Sequence, residues 1–284
     1  MANLKIGTCS WNYESWVGLV YSKPSRTAAA YLQEYSKHFR TAEVDSWFYA
    51  LPNRHDVLEY LSNVDDDFSF TVKVSEDISL THKRNRSSKD PIPNPGFLSP
   101  DIFARYLDSI KPMLPQIDAI MLEFEYLNKD KMASVDAFMK ALDAFVSVVP
   151  PGLPLAVETR NKNYLTREYF QFLQAKDLIH VFSEKIYMPH IYEVYENFGE
   201  YISGTSVLRL LGGDRKEIEE ITKGKWNAIV DPKPDKDRIV GMSKDLLNKG
   251  AKLIININNH FEGSAPLTAD SLRMPCGRML EPVC

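Results

Sequence analysis

The feature that most constrains this chain is a strict alternation of short apolar runs with stretches of helical spacing, repeated eight times. Strands are predicted at Leu4–Thr8, Thr41–Asp45, Phe68–Val74, Asp118–Phe124, Leu153–Glu158, Leu178–Phe182, Ser206–Leu210 and Lys252–Ile257. Helices are predicted at Thr27–His38, Arg54–Ser62, Asp101–Leu114, Lys131–Val148, Thr166–Gln174, Ile191–Tyr201, Asp237–Asn248 and Ala269–Met279. Strands joined through helices run parallel, because each crossover returns the chain to the same end of the sheet. Eight such units in 284 residues fit closure into a barrel and leave an open doubly wound sheet as second choice. The expected fold is α/β, a single TIM-type (β/α)8 barrel domain over residues 1–284. Local signals agree: Ser99-Pro100-Asp101 and Thr166 with Glu168 open helices, and Gly250 closes one.

A formal net charge of −4 gives no overall basic field to draw the chain onto nucleic acid. Cys9, Cys276 and Cys284 are too few and too scattered for a disulfide framework or a structural zinc site. No apolar run approaches the ~20 residues of a membrane span, and Met1 to Gly7 enter a strand-like segment without a charged-then-apolar leader. The expectation is a cytoplasmic protein with no membrane partner. The most irregular segment, Thr81 to Pro95, is polar and proline-rich and follows the third strand. Its Lys83, Arg84, Arg86 and Lys89 read as an electrostatic clamp, or as a solvated loop diluted by Asp90.

In a barrel of this kind the C-terminal strand ends carry function, so they are the positions to read. Strand alternation puts Glu43 and Asp45 on one face, Glu123 and Glu125 on one face, and Glu158 and Arg160 on one face. Lys73 ends the third strand, with His82 in the loop beyond; Arg209 ends the seventh. Asn256, Asn258, Asn259 and His260 close the eighth, and Trp11 and Tyr13 follow the first. Any one pair can be a simple rim salt bridge. Charges are rarely buried unless paired or used, however, and here most strands finish with one.

At these residues the sequence resembles the YecE-like family of TIM-barrel proteins, whose function is unassigned. The resemblance runs through Gly7-Thr8-x-Ser10-Trp11-Asn12-Tyr13 and Glu43-Val44-Asp45-Ser46-x-Phe48-Tyr49-x-x-Pro52. It continues through Phe70-x-x-Lys73, Thr81-His82, Val157-Glu158-x-Arg160, Arg209 with Gly212, and Asn258-Asn259-His260 with Gly263 and Ala265. Departures are Asp45 for asparagine, Glu125 for glutamine, Asn161 and Leu211 for histidines, and Tyr164 for tryptophan. The resemblance implies a barrel similar in fold to the endonuclease IV and xylose isomerase group.

Two functional readings are open. In the first, the chain is a hydrolase or lyase acting on a phosphorylated or nucleic-acid substrate. Glu43 or Glu158 is then the general base, and Lys73, Arg160, Arg209 and His82 hold phosphate. Asp45, Glu125, Asn258 and Asn259 orient the ligand, while Trp11, Tyr13 and Tyr49 stack on it. In the second, the same residues form a non-catalytic receptor for an anionic metabolite or a nucleic-acid segment. The histidine set that zinc prefers is missing from the predicted rim, so no obligatory zinc is expected; the carboxylates leave magnesium or manganese open.

Overall fold

Strands that are covered on both faces need apolar side chains outward and a graded filling inward. In the computed structural model, which describes residues 3–83 and 92–273, eight such strands close into a barrel. They are β1 (Leu4–Cys9), β2 (Thr41–Val44), β3 (Ser69–Lys73) and β4 (Ile117–Glu123). The second half is β5 (Leu155–Glu158), β6 (Ile179–Lys185), β7 (Thr205–Gly212) and β8 (Lys252–Ile257). Each pairs in parallel with the next, and β8 returns to β1 in register from Leu4 opposite Leu253 to Thr8 opposite Ile257. The expected closed (β/α)8 barrel is therefore the fold.

The outer layer comprises α1 (Ala28–Tyr35), α2 (Arg54–Leu61), α3 (Pro100–Ile110), α4 (Val135–Val146) and α5 (Arg167–Ala175). It continues with α6 (Ile191–Phe198), α7 (Arg215–Thr222), α8 (Lys236–Asn248) and α9 (Ala265–Arg273). Thr27, Asn53, Ser99, Ser134, Thr166 and Asp214 each accept a first-turn backbone N–H, which fixes where their helices begin. Ser134 thus starts α4 four residues later than the spacing predicts. Pro112 and Pro115 lack the donors an α-helix needs, so the third helix ends at Ile110 and a 3-10 segment, Lys111–Gln116, follows. The structure places two helices between β7 and β8 where the spacing predicts one. The last helix starts at Ala265 instead of Ala269; its predicted end at Met279 lies outside the described residues.

Inside the barrel the side chains stack in layers. At the N-terminal end Lys5 Nζ lies 2.7 Å from Ser69 Oγ and 3.2 Å from Asp118. Lys252 reaches the same carboxylate at 2.5 Å. Asp118 is an extra residue in the β3–β4 register, which passes from Phe70 opposite Ile117 to Thr71 opposite Ala119. That bulge lets a strand residue that would otherwise face the helices join this cluster. Above it lies an apolar layer of Ala119, Met121, Ala156, Val181, Val207 and Ile254. β1 and β2 approach so closely that a Cβ on Gly7 would stand 2.0 Å from the Thr41 carbonyl oxygen.

After β3, His82–Lys83 pairs antiparallel with Ile92–Pro93, and Asn94 Nδ2 donates to the carbonyls of Asp77 and Leu80. Arg84, Arg86, Lys89 and Asp90, like Cys276 and Cys284, lie outside the described residues. Among the described residues no helix is long and apolar enough to cross a membrane.

Candidate functional site

The third layer, at the C-terminal ends of the strands, is built from charges in two tiers. In the lower tier Arg209 on β7 directs all three guanidinium nitrogens at carboxylates. Its Nε and Nη2 donate to the two oxygens of Glu43 at 2.8 and 2.6 Å, and Nη1 donates to Glu123 at 2.9 Å and to Glu158. Glu43 and Glu158 have no exposed side-chain surface. The upper tier meets solvent. Lys73 Nζ stands 2.6 Å from Asp45 and 2.8 Å from Glu123, and 3.9 Å from Glu43 below. Arg160 Nη2 bridges Glu123 and Glu158 at 3.0 and 2.8 Å.

Four carboxylates thus face three bases that pair with them. Burial pushes Glu43 up to about 7, with the neighbouring Asp45 charge adding to it against the pull of Arg209 and Lys73. Asp45 moves the other way: despite burial, Lys73 and Arg209 hold it below the ordinary aspartate value. Glu123 is likewise held well below its ordinary value, its burial outweighed by Lys73, Arg160 and Arg209. Lys73 is raised, since Asp45, Glu123 and Glu43 overcome burial and the Arg209 charge. Two carboxylates in contact that titrate apart form an acid–base pair, with the proton on the buried member.

Around this ring the structure distributes the remaining candidates differently. Tyr13 is half-buried, and burial with the charge of Asp45 raises its phenol, which sets it beside the mouth. Tyr49 is exposed at the lip, edge-on to Phe48. Trp11 turns away into the helical layer: its Nε1 donates to the Ala28 carbonyl at 2.7 Å, and it meets Tyr60 edge-on. Glu125 lies beyond the end of β4, paired with Lys131 at 2.5 Å and accepting from Thr81, so Glu123 takes the place expected for it. His82 Nδ1 meets the hydroxyl of its neighbour Thr81 at 3.1 Å. Asn258 and Asn259 serve the loop before α9. Asn258 Oδ1 accepts the His260 backbone N–H, and Asn259 Oδ1 accepts from Trp16 Nε1 and the Ala265 N–H. It is Asn256 that enters the ring, donating to Thr71 Oγ1 at 2.7 Å and to Glu43 at 3.3 Å.

Metal chemistry has little to work with here, because every ring carboxylate is already matched to lysine or arginine. Among the described residues, the histidine–carboxylate group with ligand atoms near one another is His55, Asp56 and Glu59 on α2, outside the barrel.

A family profile described as "Protein of unknown function DUF72" matches residues 5–282, which spans the whole ring. The chain belongs to the DUF72 family. Two curated relatives, the UPF0759 protein YecE of Escherichia coli K12 and that of strain O157:H7, are each 25% identical over 162 residues. The match takes in 57% of this chain and 50% of YecE, so the chain spans about half the length of the curated relatives it matches. A solved DUF72 structure from Enterococcus faecalis V583 has a TM-score of 0.66 at 18% identity, covering 99% of both chains. One from Thermotoga maritima MSB8 has 0.66 at 15% identity, covering 94% of this chain and 95% of its own. At such identities the likeness carries the fold, and the chemistry of this DUF72 chain has to be read from its own residues.

Two of those residues escape the sequence reading. Cys9 is buried at the inner end of β1, and burial together with Glu43 raises its thiol well above the ordinary value, so it stays protonated. Lys185 lies at the end of β6, beyond the predicted strand end at Phe182. Their only signal is alternation, which holds if β6 is continued by three residues.

Proposed function

We propose that this DUF72 chain is an acid–base enzyme, a hydrolase or lyase, acting on a small anionic or phosphorylated substrate. The substrate sits on the upper tier, and the Glu43–Asp45 pair exchanges the proton. One observation carries this reading: a fully buried carboxylate pushed up to about 7 at the C-terminal mouth of a barrel. Lys73 and Arg160, partly open to solvent, are the cations a substrate oxyanion can reach. Arg209 supports them from below; four of its five N–H donors are taken by carboxylates, which argues against an anion-holding role for it. Glu158 positions Arg160 and Arg209. A nucleic-acid substrate draws no support from the ring, whose charges balance.

The test is a screen of phosphate esters, activated carboxylic esters and phosphorylated sugars, followed by Glu43→Gln on any substrate that turns over. General acid–base catalysis is worth about 10²–10⁴-fold, so the variant should lose that much kcat with little change in affinity. Full retention of kcat by Glu43→Gln overturns the reading.

The alternative, a non-catalytic receptor for an anionic metabolite, is favoured by one feature: Arg209 and its three carboxylates satisfy one another without a ligand. It predicts that Arg160→Ala weakens binding and that no substrate class is turned over.

A further inference from the structure

Every cation of the ring has a carboxylate within ion-pair distance except one. Among the described residues Lys185 has neither a salt bridge nor a side-chain hydrogen bond, whereas Lys73, Arg160 and Arg209 each hold two or more carboxylates. Lys185 ends the inward face of β6, two residues after Ser183, which pairs with Arg209 in the β6–β7 register. It also lines a cleft of about 320 Å³ at the same end of the barrel, walled by the segments that follow β6 and β7, with the paired ring residues outside it. The walls combine apolar and aromatic groups, Met188, Tyr192, Ile239 and Phe261, with Gly212 and Gly213 at the strand end.

The backbone around this lysine is irregular. The β6–β7 register slips by one residue between Glu184 and Lys185, leaving Leu211 as a bulge. Gly212 follows at φ +86°, and Tyr187 is left-handed at φ 70° with its side chain 85% exposed. A bulky residue held there costs about 1–2 kcal/mol, and such strain and bulges gather where a side chain has to be aimed. Burial and the nearby Arg160 charge lower the Lys185 ammonium, outweighing the opposing pull of Glu158 and Glu123. The cleft's other charged groups make no ion pair with it: Glu184 meets His190 and the Ile191 N–H, Asp235 accepts from the Tyr192 hydroxyl, and Lys233 pairs with Asp231.

We propose that Lys185 is an amine nucleophile that forms a Schiff base with a small carbonyl compound seated in this cleft, its anionic end set against Arg160. The unpaired amine attacks the carbonyl carbon, forming the C–N bond; a proton passes from nitrogen to oxygen to give the carbinolamine. The hydroxyl takes up a proton from solvent and leaves as water, giving the iminium, and no oxidant or reductant is consumed. A lysine without an ion pair, beside another cation and partly desolvated, is the type that does this chemistry. The inference rests on the acid–base reading and narrows it to a lyase acting on 2-oxo acids.

Trapping tests it. The full chain is incubated at neutral pH with pyruvate or phenylpyruvate, reduced with cyanoborohydride, digested and mapped by mass. Lys185 should be alkylated at least about tenfold faster than the exposed Lys23 and Lys129, as expected of an activated amine nucleophile. Phenylpyruvate, whose ring fills the cleft, should outpace pyruvate. Lys185→Arg should abolish the adduct while the circular dichroism spectrum is retained. The Glu43→Gln variant should still be trapped at Lys185 after losing turnover, which separates failure of this inference from failure of the acid–base reading. Alkylation of Lys185 no faster than that of Lys23 and Lys129, with both probes, overturns it.

Discussion

The two ends of the barrel use the same device for opposite purposes. At the N-terminal end one carboxylate, Asp118, meets two lysines and a serine. At the C-terminal end four carboxylates meet three paired bases, and burial pushes one of the four, Glu43, up to about 7. The surplus lysine charge at the first end reaches solvent through Lys252, whereas Glu43 at the second is fully buried; a buried titrating group is the one poised to act. Position in the fold agrees, since the first lies where such barrels keep stability and the second where they keep function.

The comparison can be broken most forcefully at Arg209. Removing it strands Glu43 and Glu158 without exposed surface, so Arg209→Ala should cost about 3–5 kcal/mol, measured by urea unfolding. If the loss is below that of a surface pair, the ring does not hold the mouth together. Next comes Asp118→Asn at the opposite end, expected to destabilise by about 1–3 kcal/mol while leaving any turnover unchanged. An equal loss of kcat would erase the functional contrast between the ends.

A smaller effect sharpens the contrast through pH. Folding raises Glu43 from 4.5 to about 7, so the folded state binds more protons between those values. Its contribution is fully present below pH 4.5 and is lost as pH rises through 7. Glu43→Gln should therefore flatten the fall in stability from pH 5 to 8, read from melting curves. Asp45 and Glu123 act oppositely, losing their contribution as pH falls through their lowered values. A counterpart confined to acid pH should come from His180, buried among Tyr169, Phe170 and Phe182 and lowered by burial to about 3. Its neutral form supports folding above pH 6.5, and that support is lost as pH falls towards 3. His180→Phe should shift the acid-unfolding midpoint downwards; an unchanged midpoint would count against this account.

Alternation made most of the barrel and much of the ring legible. Glu43, Asp45, Lys73, Glu158, Arg160 and Arg209 lie on one side because every second residue of a strand faces inward. It failed where strands end. Ser183-Glu184-Lys185 is polar and reads as loop, yet β6 continues through it because its inner face meets the mouth and not the apolar core. The same end effect sends Glu125 to Lys131 and leaves Asn258 and Asn259 to the loop, while Asn256, one layer lower, enters the ring. Helix α7 went unseen because it buries little beyond Ile218 and Thr222, too weak an apolar stripe to register.

Arg209 also constrains how the chain reaches this state. Its partners Glu43, Glu123 and Glu158 precede it by 166, 86 and 51 residues, on strands from three different parts of the barrel. A half-formed sheet ending before β7 would hold Glu43, Glu123 and Glu158 beside Lys73 and Arg160 but without the guanidinium that joins all three. Contacts of such long range form late and slowly. Closure of the cylinder and neutralisation of its mouth are then one step, and a chain cut ahead of β7 should collapse without ever settling into a stable half-barrel.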